Sequence, residues 1–157
     1  MRIGQSTDIH PFAPNRKLIL GGVEIEYDKG LAGHSDADAL THAIAESILG
    51  ALGLGDLGSH FSDKDPKYKD ICSLLFLQHC RQLLLDYHFQ IQNIDSLVLI
   101  EEPKLAPYIK QMKKNIADAL QISPTQVNIK ATRGEGLGFV GRKEGVVAQA
   151  ICLLEEE

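Results

Sequence analysis

The feature that most constrains this chain is the repeated change of apolar period between residues 35 and 154. Leu40, Ile44, Ile48 and Leu52 recur at helical spacing and stop at Gly53-Leu54-Gly55. A second helical run, from about Ser73 to Tyr87, gives way to the β-rich run Gln90 to Ile100, with Ile91, Ile94, Leu97, Val98 and Leu99. Pro107 suits the first position of a third helix, whose buried stripe is Ile109, Met112, Ile116 and Leu120. Val127 to Thr132 and Gly145 to Leu154 return to strand. This alternation predicts an α/β layered sandwich, a mixed sheet with helices on one face. The other face also needs cover, and a subunit partner is one solution.

The N-terminal part reads as a strand, Arg2 to His10, then a hairpin of Leu18 to Leu20 and Val23 to Ile25 about a Gly21-Gly22 turn. Ser35 is the expected N-cap of the first helix, with Asp36 and Asp38 in its first turn. Asp56 to Asp70 is an ordered functional loop or a linker, and Glu155-Glu156-Glu157 a frayed end. A chain of 157 residues fits a single catalytic domain, 1–157. A net charge of −5 without a Lys/Arg run excludes the electrostatic case for nucleic acid. With no leader-like start and no apolar stretch near the roughly 20 residues of a membrane span, the expectation is a cytoplasmic protein with no membrane partner. Cys72, Cys80 and Cys152 are expected to be buried and unpaired.

Chemistry-bearing residues fall in four places. In Asp8-Ile9-His10 the side chains at i and i+2 of a strand point to one side, which suits two ligands of one cation. Zinc accepts His nitrogen and Asp oxygen and often keeps a fourth position open. His42, mid-helix and off the Leu40/Ile44/Ile48 stripe, is the candidate third ligand. Glu46, one turn on, is the candidate carboxylate behind it. Asp-x-His is a weak signal, and spacing alone favours a chance pair and a surface histidine. Gly33-His34-Ser35-Asp36-Ala37-Asp38 reads as a plain cap, or as an anion site at a helix N-terminus with His34 beside it. The stretch Lys130 to Phe139, followed by Gly141-Arg142, is a flexible glycine-rich hairpin or a diphosphate cradle, with Glu135 able to hold a hard divalent cation. Glu102-Pro103-Lys104-Leu105-Ala106-Pro107 is a strand-to-helix turn, or a stiff segment whose backbone reads a flat polar ligand edge.

Taken together these pieces resemble one family along nearly the whole chain. They are Arg2-Ile3-Gly4, Asp8-Ile9-His10, Leu20-Gly21-Gly22-Val23, Gly33-His34-Ser35-Asp36-Ala37-Asp38 with His42, and Leu54-Gly55-Asp56-Leu57-Gly58. Further on come Asp63-x-Asp65-Pro66, Asn93-Ile94-Asp95, Pro103-Lys104, Asn128-Ile129-Lys130-Ala131-Thr132, Glu135-Gly136-Leu137-Gly138-Phe139 and Gly141-Arg142-x-Glu144-Gly145. The chain resembles the 2-C-methyl-D-erythritol 2,4-cyclodiphosphate synthases of the non-mevalonate route to isoprenoids.

The resemblance implies a phosphorus–oxygen lyase, trimeric and bacterial. It would cyclise 4-diphosphocytidyl-2-C-methyl-D-erythritol 2-phosphate and release CMP. It implies one Zn²⁺ per chain on Asp8, His10 and His42, with Mg²⁺ or Mn²⁺ arriving near Glu135 with the substrate. His34, Arg133 and Glu135 take catalytic roles. Substrate contacts fall to Asp8, His10, His34, Ser35, Asp56, Leu57, Gly58, Phe61, Asp63 and Asp65 on one subunit. Ile100, Glu101, Glu102, Pro103, Lys104, Leu105, Ala106, Thr132, Arg133, Gly134 and Glu135 serve the cytidine side on its neighbour, and Phe139 and Arg142 also bind substrate. The chain departs from the family at Arg133 and Gly134, where threonines are usual, at Thr7, where phenylalanine is, at Gln5-Ser6, and at Ser62 in place of proline. Two other functions stay open at this point: a zinc phosphohydrolase, and a non-catalytic trimeric zinc- and nucleotide-binding homologue made inert by Arg133.

Overall fold

Along β1 (Arg2–Ala13) Gly4 and Ser6 are buried, whereas Ile3, Gln5, Thr7 and Ile9 are exposed, so the strand has an inner and an outer face. The same alternation runs along β7 (Gly145–Glu156), where Val146, Ala148, Ala150, Cys152 and Leu154 are buried. In β5 (Phe89–Leu99) the inner set changes phase, from Phe89 and Ile91 to Ile94, Ser96 and Val98. A bulge between Ile91 and Asn93 accounts for it: one extra residue resets which side chains face inward.

These strands belong to a computed structural model that describes residues 1–157. Its five-stranded sheet has the order β4-β1-β7-β5-β6, with β4 at Gly30–Leu31 and β6 at Val127–Thr132. All pairings are antiparallel except β5 with β6, which is parallel. The sheet is therefore mixed, as expected. β2 (Leu18–Leu20) and β3 (Val23–Ile25) form the separate hairpin. The helices are α1 (Ala39–Leu52), α2 (Leu57–His60), α3 (Leu74–Asp86), α4 (Ile109–Leu120) and α5 (Gly138–Gly141).

α1 lies against β1 and β7, and its approach depends on Gly4: a Cβ there would sit 1.9 Å from the Ser47 carbonyl oxygen. Removing that side chain lets the helix settle close enough to bring its first turn to the end of β1. The outer sheet face carries no helix. Ile3, Ile9 and Ile151 are 71%, 55% and 47% exposed there, a concentration of apolar surface that single chains normally cover.

Several sequence expectations need correction. The first helix begins at Ala39 and is capped by Asp38, not Ser35; Ala37 has a positive φ of 58°, which breaks helical continuity before that point. His42 is accordingly in the first turn. α4 starts at Ile109, after Pro107, and Ile109 is only partly buried. The acidic end is not frayed through Glu156: Glu155 and Glu156 pair with Gln90 and Phe89. Cys72 is exposed, while Cys80 and Cys152 are buried; all three are free. Residues 56–70 form an ordered loop containing α2 and a 3₁₀ turn at Pro66–Tyr68.

Candidate active site and metal centre

The inner face of β1 passes from Gly4 and Ser6 to Asp8 and His10, where α1 no longer covers it fully. Three ligand atoms converge there. Asp8 Oδ2 lies 2.9 Å from His10 Nε2 and 3.1 Å from His42 Nδ1, and the two nitrogens are 3.3 Å apart. Donors about 2.0–2.2 Å from a tetrahedral ion stand roughly 3.3–3.6 Å apart, so the observed triangle is slightly tight for a metal but has the right shape.

The outer nitrogens settle the protonation pattern. His10 Nδ1 donates to the Ala32 carbonyl at 2.6 Å. His42 Nε2 donates to Ser73 Oγ at 2.8 Å, with Ser35 Oγ at 3.1 Å, and Ser73 Oγ in turn donates to Asp36 Oδ1. With both outer positions donating, the inner nitrogens present lone pairs to each other and to a carboxylate. Three electron-rich atoms at such distances need a cation or a proton among them. Burial raises the Asp8 pKa, but hydrogen bonds and charge from His10 and His42 outweigh it and hold the carboxyl well below its ordinary 3.8. Burial lowers the His10 pKa, and the hydrogen bond and charge of Asp8 outweigh that, leaving it above 6.5.

The carboxylate behind His42 is therefore Asp36, acting through Ser73, and not Glu46. Glu46 is turned away: its carboxylate accepts from Ser6 Oγ at 2.5 Å and from the Leu57 amide at 3.2 Å. The helix N-terminus is capped by a buried carboxylate. Asp38, fully buried, accepts from the amides of Gly21, Gly22 and Thr41 and from Thr41 Oγ1, so a carboxylate of the chain itself occupies the cap.

A cavity of about 460 Å³ opens over the triad and is lined by Asp8, His10, His34, Ser35, His42, Leu57, Gly58, Phe61 and Asp63, joined by Gly33, Tyr68 and Phe76. His34 Nε2 donates to the Asp65 carbonyl at 3.1 Å, and the His34 carbonyl accepts from the Asp70 amide at 2.9 Å, so the 56–70 loop is fastened to the rim. Asp56 caps the loop's own α2 through Ser59 and stays outside the lining, and Asp65 contributes its backbone.

The second group of residues forms another cavity, of about 250 Å³. Ile100, Glu101, Pro103, Lys104, Leu105, Ala106, Thr132 and Arg133 line it with Ala131. Its position follows from topology. β5 and β6 are parallel neighbours, so the segments leaving both carboxyl ends meet in one crevice, where open α/β sheets bind ligands. The Gly134 amide donates to Glu101 at 2.9 Å, and Glu102 pairs with Lys143 at 2.9 Å. Glu135 has a φ of 53° and is exposed. Phe139 on α5 is 38% exposed, and Arg142 pairs with Glu144 at 2.8 Å. The two cavities share no residue, so one chain does not bring the two groups together.

A family model described as the YgbB family matches residues 1–155. The chain belongs to the YgbB family. Among curated relatives it is 56% identical to the 2-C-methyl-D-erythritol 2,4-cyclodiphosphate synthase of Clostridium novyi (strain NT) over 157 residues, covering all of both chains. It is 55% identical to the enzyme of that name from Chlorobium phaeobacteroides (strain BS1) over 156 residues, 99% of this chain and 98% of the other. Among solved structures, the bifunctional IspDF from Campylobacter jejuni superposes with a TM-score of 0.95 at 39% identity. That match covers 99% of this chain and 42% of the longer protein. The CDP complex of IspF from Plasmodium falciparum gives 0.88 at 35% identity, covering 99% and 96%. The family resemblance carried by the sequence motifs is borne out over the full chain. Sequence reasoning missed Ser73, Ala32 and Phe76 in this YgbB-family site. Ser73 stands at the cap position of α3 yet makes no capping bond, because His42 and Asp36 occupy its hydroxyl.

Proposed function

We propose that this chain is a single-domain 2-C-methyl-D-erythritol 2,4-cyclodiphosphate synthase that closes 4-diphosphocytidyl-2-C-methyl-D-erythritol 2-phosphate into the cyclic diphosphate and releases CMP. The observation that carries the reading is the convergence of Asp8, His10 and His42 on one point at the floor of the larger cavity. An N₂O donor set with an open fourth side suits Zn²⁺. When bound, such an ion supplies Lewis-acid stabilisation to a phosphoryl oxygen.

An oxygen of the 2-phosphate attacks the β-phosphorus, the bond from that phosphorus to the oxygen bridging to the α-phosphate breaks, and CMP departs with the electron pair. The attacking group is already on the substrate, so no protein nucleophile is needed. The protein's task is to align two anionic groups, which can contribute about 7–11 kcal/mol. Leu57, Gly58, Phe61 and Asp63 enclose the polyol end, and Ser35 and His34 border the reacting phosphates. Ile100 to Ala106 receive the cytidine. Thr132, Arg133 and Gly134 face the diphosphate, and Glu135 is placed to hold Mg²⁺ or Mn²⁺ brought with it. Because the two cavities share no residue, the complete site forms between copies, and the bare outer sheet face supports a homotrimer. The reaction belongs to isoprenoid precursor synthesis in the bacterial cytoplasm; no helix here is long and apolar enough to cross a membrane.

The test is to incubate the protein with the cytidyl substrate and Mg²⁺ and follow phosphorus NMR. CMP with a cyclic diphosphate is the expected outcome. Free phosphate would mean a zinc phosphohydrolase, and an unchanged spectrum a non-catalytic homologue.

A further inference from the structure

α2 supplies Leu57 and Gly58 to the wall of the larger cavity, yet none of its residues is buried. Its cap is local: Asp56 accepts from the amide and hydroxyl of Ser59, bonds that shape the turn without fixing it to the rest of the molecule. The bond from His60 Nε2 to the Leu54 carbonyl, 3.0 Å, is equally local. Attachments to the body lie at both ends, besides a His60–His79 contact (Nδ1 to Nε2, 3.4 Å) and the apolar packing of Leu57 and Phe61 on the core. At the far end the Phe61 ring stacks against Phe76, centroids 4.4 Å apart. At the near end the Leu57 amide, an orphan donor at the start of a helix, donates to Glu46 Oε1.

Glu46 also accepts from Ser6 Oγ, on the inner face of β1 two residues before Asp8. It stands on α1 one turn beyond His42. One carboxylate thus joins the strand that carries Asp8 and His10, the helix that carries His42, and the loop that closes over them. It forms no ion pair with any cation and does not touch the triad. We infer that Glu46 is a positioning residue for substrate binding: it sets the distance between the Leu57–Gly58 wall and the triad, acting through the Leu57 amide. The inference rests on the functional reading above.

Chemistry limits which side chains suffice. Leu57 needs an acceptor; Ser6 needs any polar partner, since its buried hydroxyl can donate or accept. Glutamine satisfies both, its carbonyl facing Leu57 and its amide facing Ser6. Alanine satisfies neither.

The experiment compares CMP release, CMP affinity and metal content in the parent, Glu46→Ala and Glu46→Gln, together with amide exchange at Leu57 and Gly58. In Glu46→Ala, KM for the cytidyl substrate is expected to rise roughly tenfold or more with kcat within about threefold, from loss of a charge-assisted hydrogen bond. Metal content and CMP affinity stay at parental values, and Glu46→Gln returns KM to within about threefold of the parent. Exchange at Leu57 speeds up in Glu46→Ala whether or not the protein turns over. Parental KM and exchange in Glu46→Ala, loss of metal, or an equal defect in Glu46→Gln would each overturn the inference. Where the orphaned Ser6 hydroxyl lowers the yield of Glu46→Ala, the Ser6→Ala/Glu46→Ala pair carries the same test. A parent that releases no CMP would defeat the functional reading alone, leaving the exchange result to decide the role of Glu46.

Discussion

The floor of the larger cavity and the rim of the smaller one are built on different plans. Around the triad every ring nitrogen has a partner from the same chain, and a hydrogen-bonded path runs from His42 through Ser73 to Asp36. Around the 132–135 segment the loop is tied by the Gly134 amide, while Arg133 and Glu135 extend into solvent. The first region is held in place by the chain's own hydrogen bonds, in a geometry that suits a cation. The second has charge and reach but few restraints within the chain. Preorganisation is thus concentrated around the triad.

The strongest way to break this contrast is His42→Ala. It is expected to abolish stoichiometric metal binding and to lower kcat/KM by on the order of 10³-fold or more, equivalent to about 4 kcal/mol or more. Full metal retention, read by elemental analysis, would remove His42 from the ligand set. Next comes Ile151→Glu on the bare sheet face, 47% exposed. Light scattering should then report a monomer of about 17 kDa that keeps its metal yet loses on the order of 10²-fold or more in turnover. An active monomer would show that one chain suffices. Arg133→Ala is expected to cost on the order of 10²–10³-fold in turnover if the guanidinium meets transition-state charge. A loss below about threefold would leave the backbone as the only contact. Ser73→Ala should weaken metal affinity by about 10–100-fold while the three ligands stay in place, measured by competition with a chelator.

The smallest effect concerns pH. Asp8 has a folded pKa below 3.8, so its contribution to stability is present above that value and lost as pH falls through the depressed one. His10 has a folded pKa above 6.5, so its contribution is present below 6.5 and lost as pH rises through the raised one. Metal-free protein should gain most from the pair between about pH 4 and 6.5. Metal binding displaces the His10 proton and should tighten as pH rises through neutrality. Thermal melts of metal-free and metal-loaded protein across that range separate the two trends; identical profiles would contradict the assignment.

The strand periodicity placed Asp8 and His10 on one face correctly because alternation is a local property of the chain. The mixed sheet followed from the order of helical and extended runs for the same reason. The start of α1 was harder. Ser35 and Asp38 are both good capping residues, and what decides between them is the positive φ of Ala37 together with the hairpin amides that Asp38 meets across 16 and 17 residues. The partner of His42 was out of reach, since Ser73 lies 31 residues away and looks like an ordinary helix start. The acidic end shows that exposure and order are separate matters: Glu155 and Glu156 face water while their backbones complete a ladder.

Asp38 has a consequence for how the molecule opens and closes. Its carboxylate draws two donors from the β2–β3 turn and two from the first turn of α1, so the hairpin amides depend on the helix start for their acceptor. Forming the initial turn of a helix is the costly step in its growth, and here that turn carries His42. The hairpin is therefore expected to open and close together with the turn that carries His42. Amide protons of Gly21, Gly22 and Thr41 should exchange with solvent through one shared opening, ahead of the β1–β7–β5 centre of the sheet.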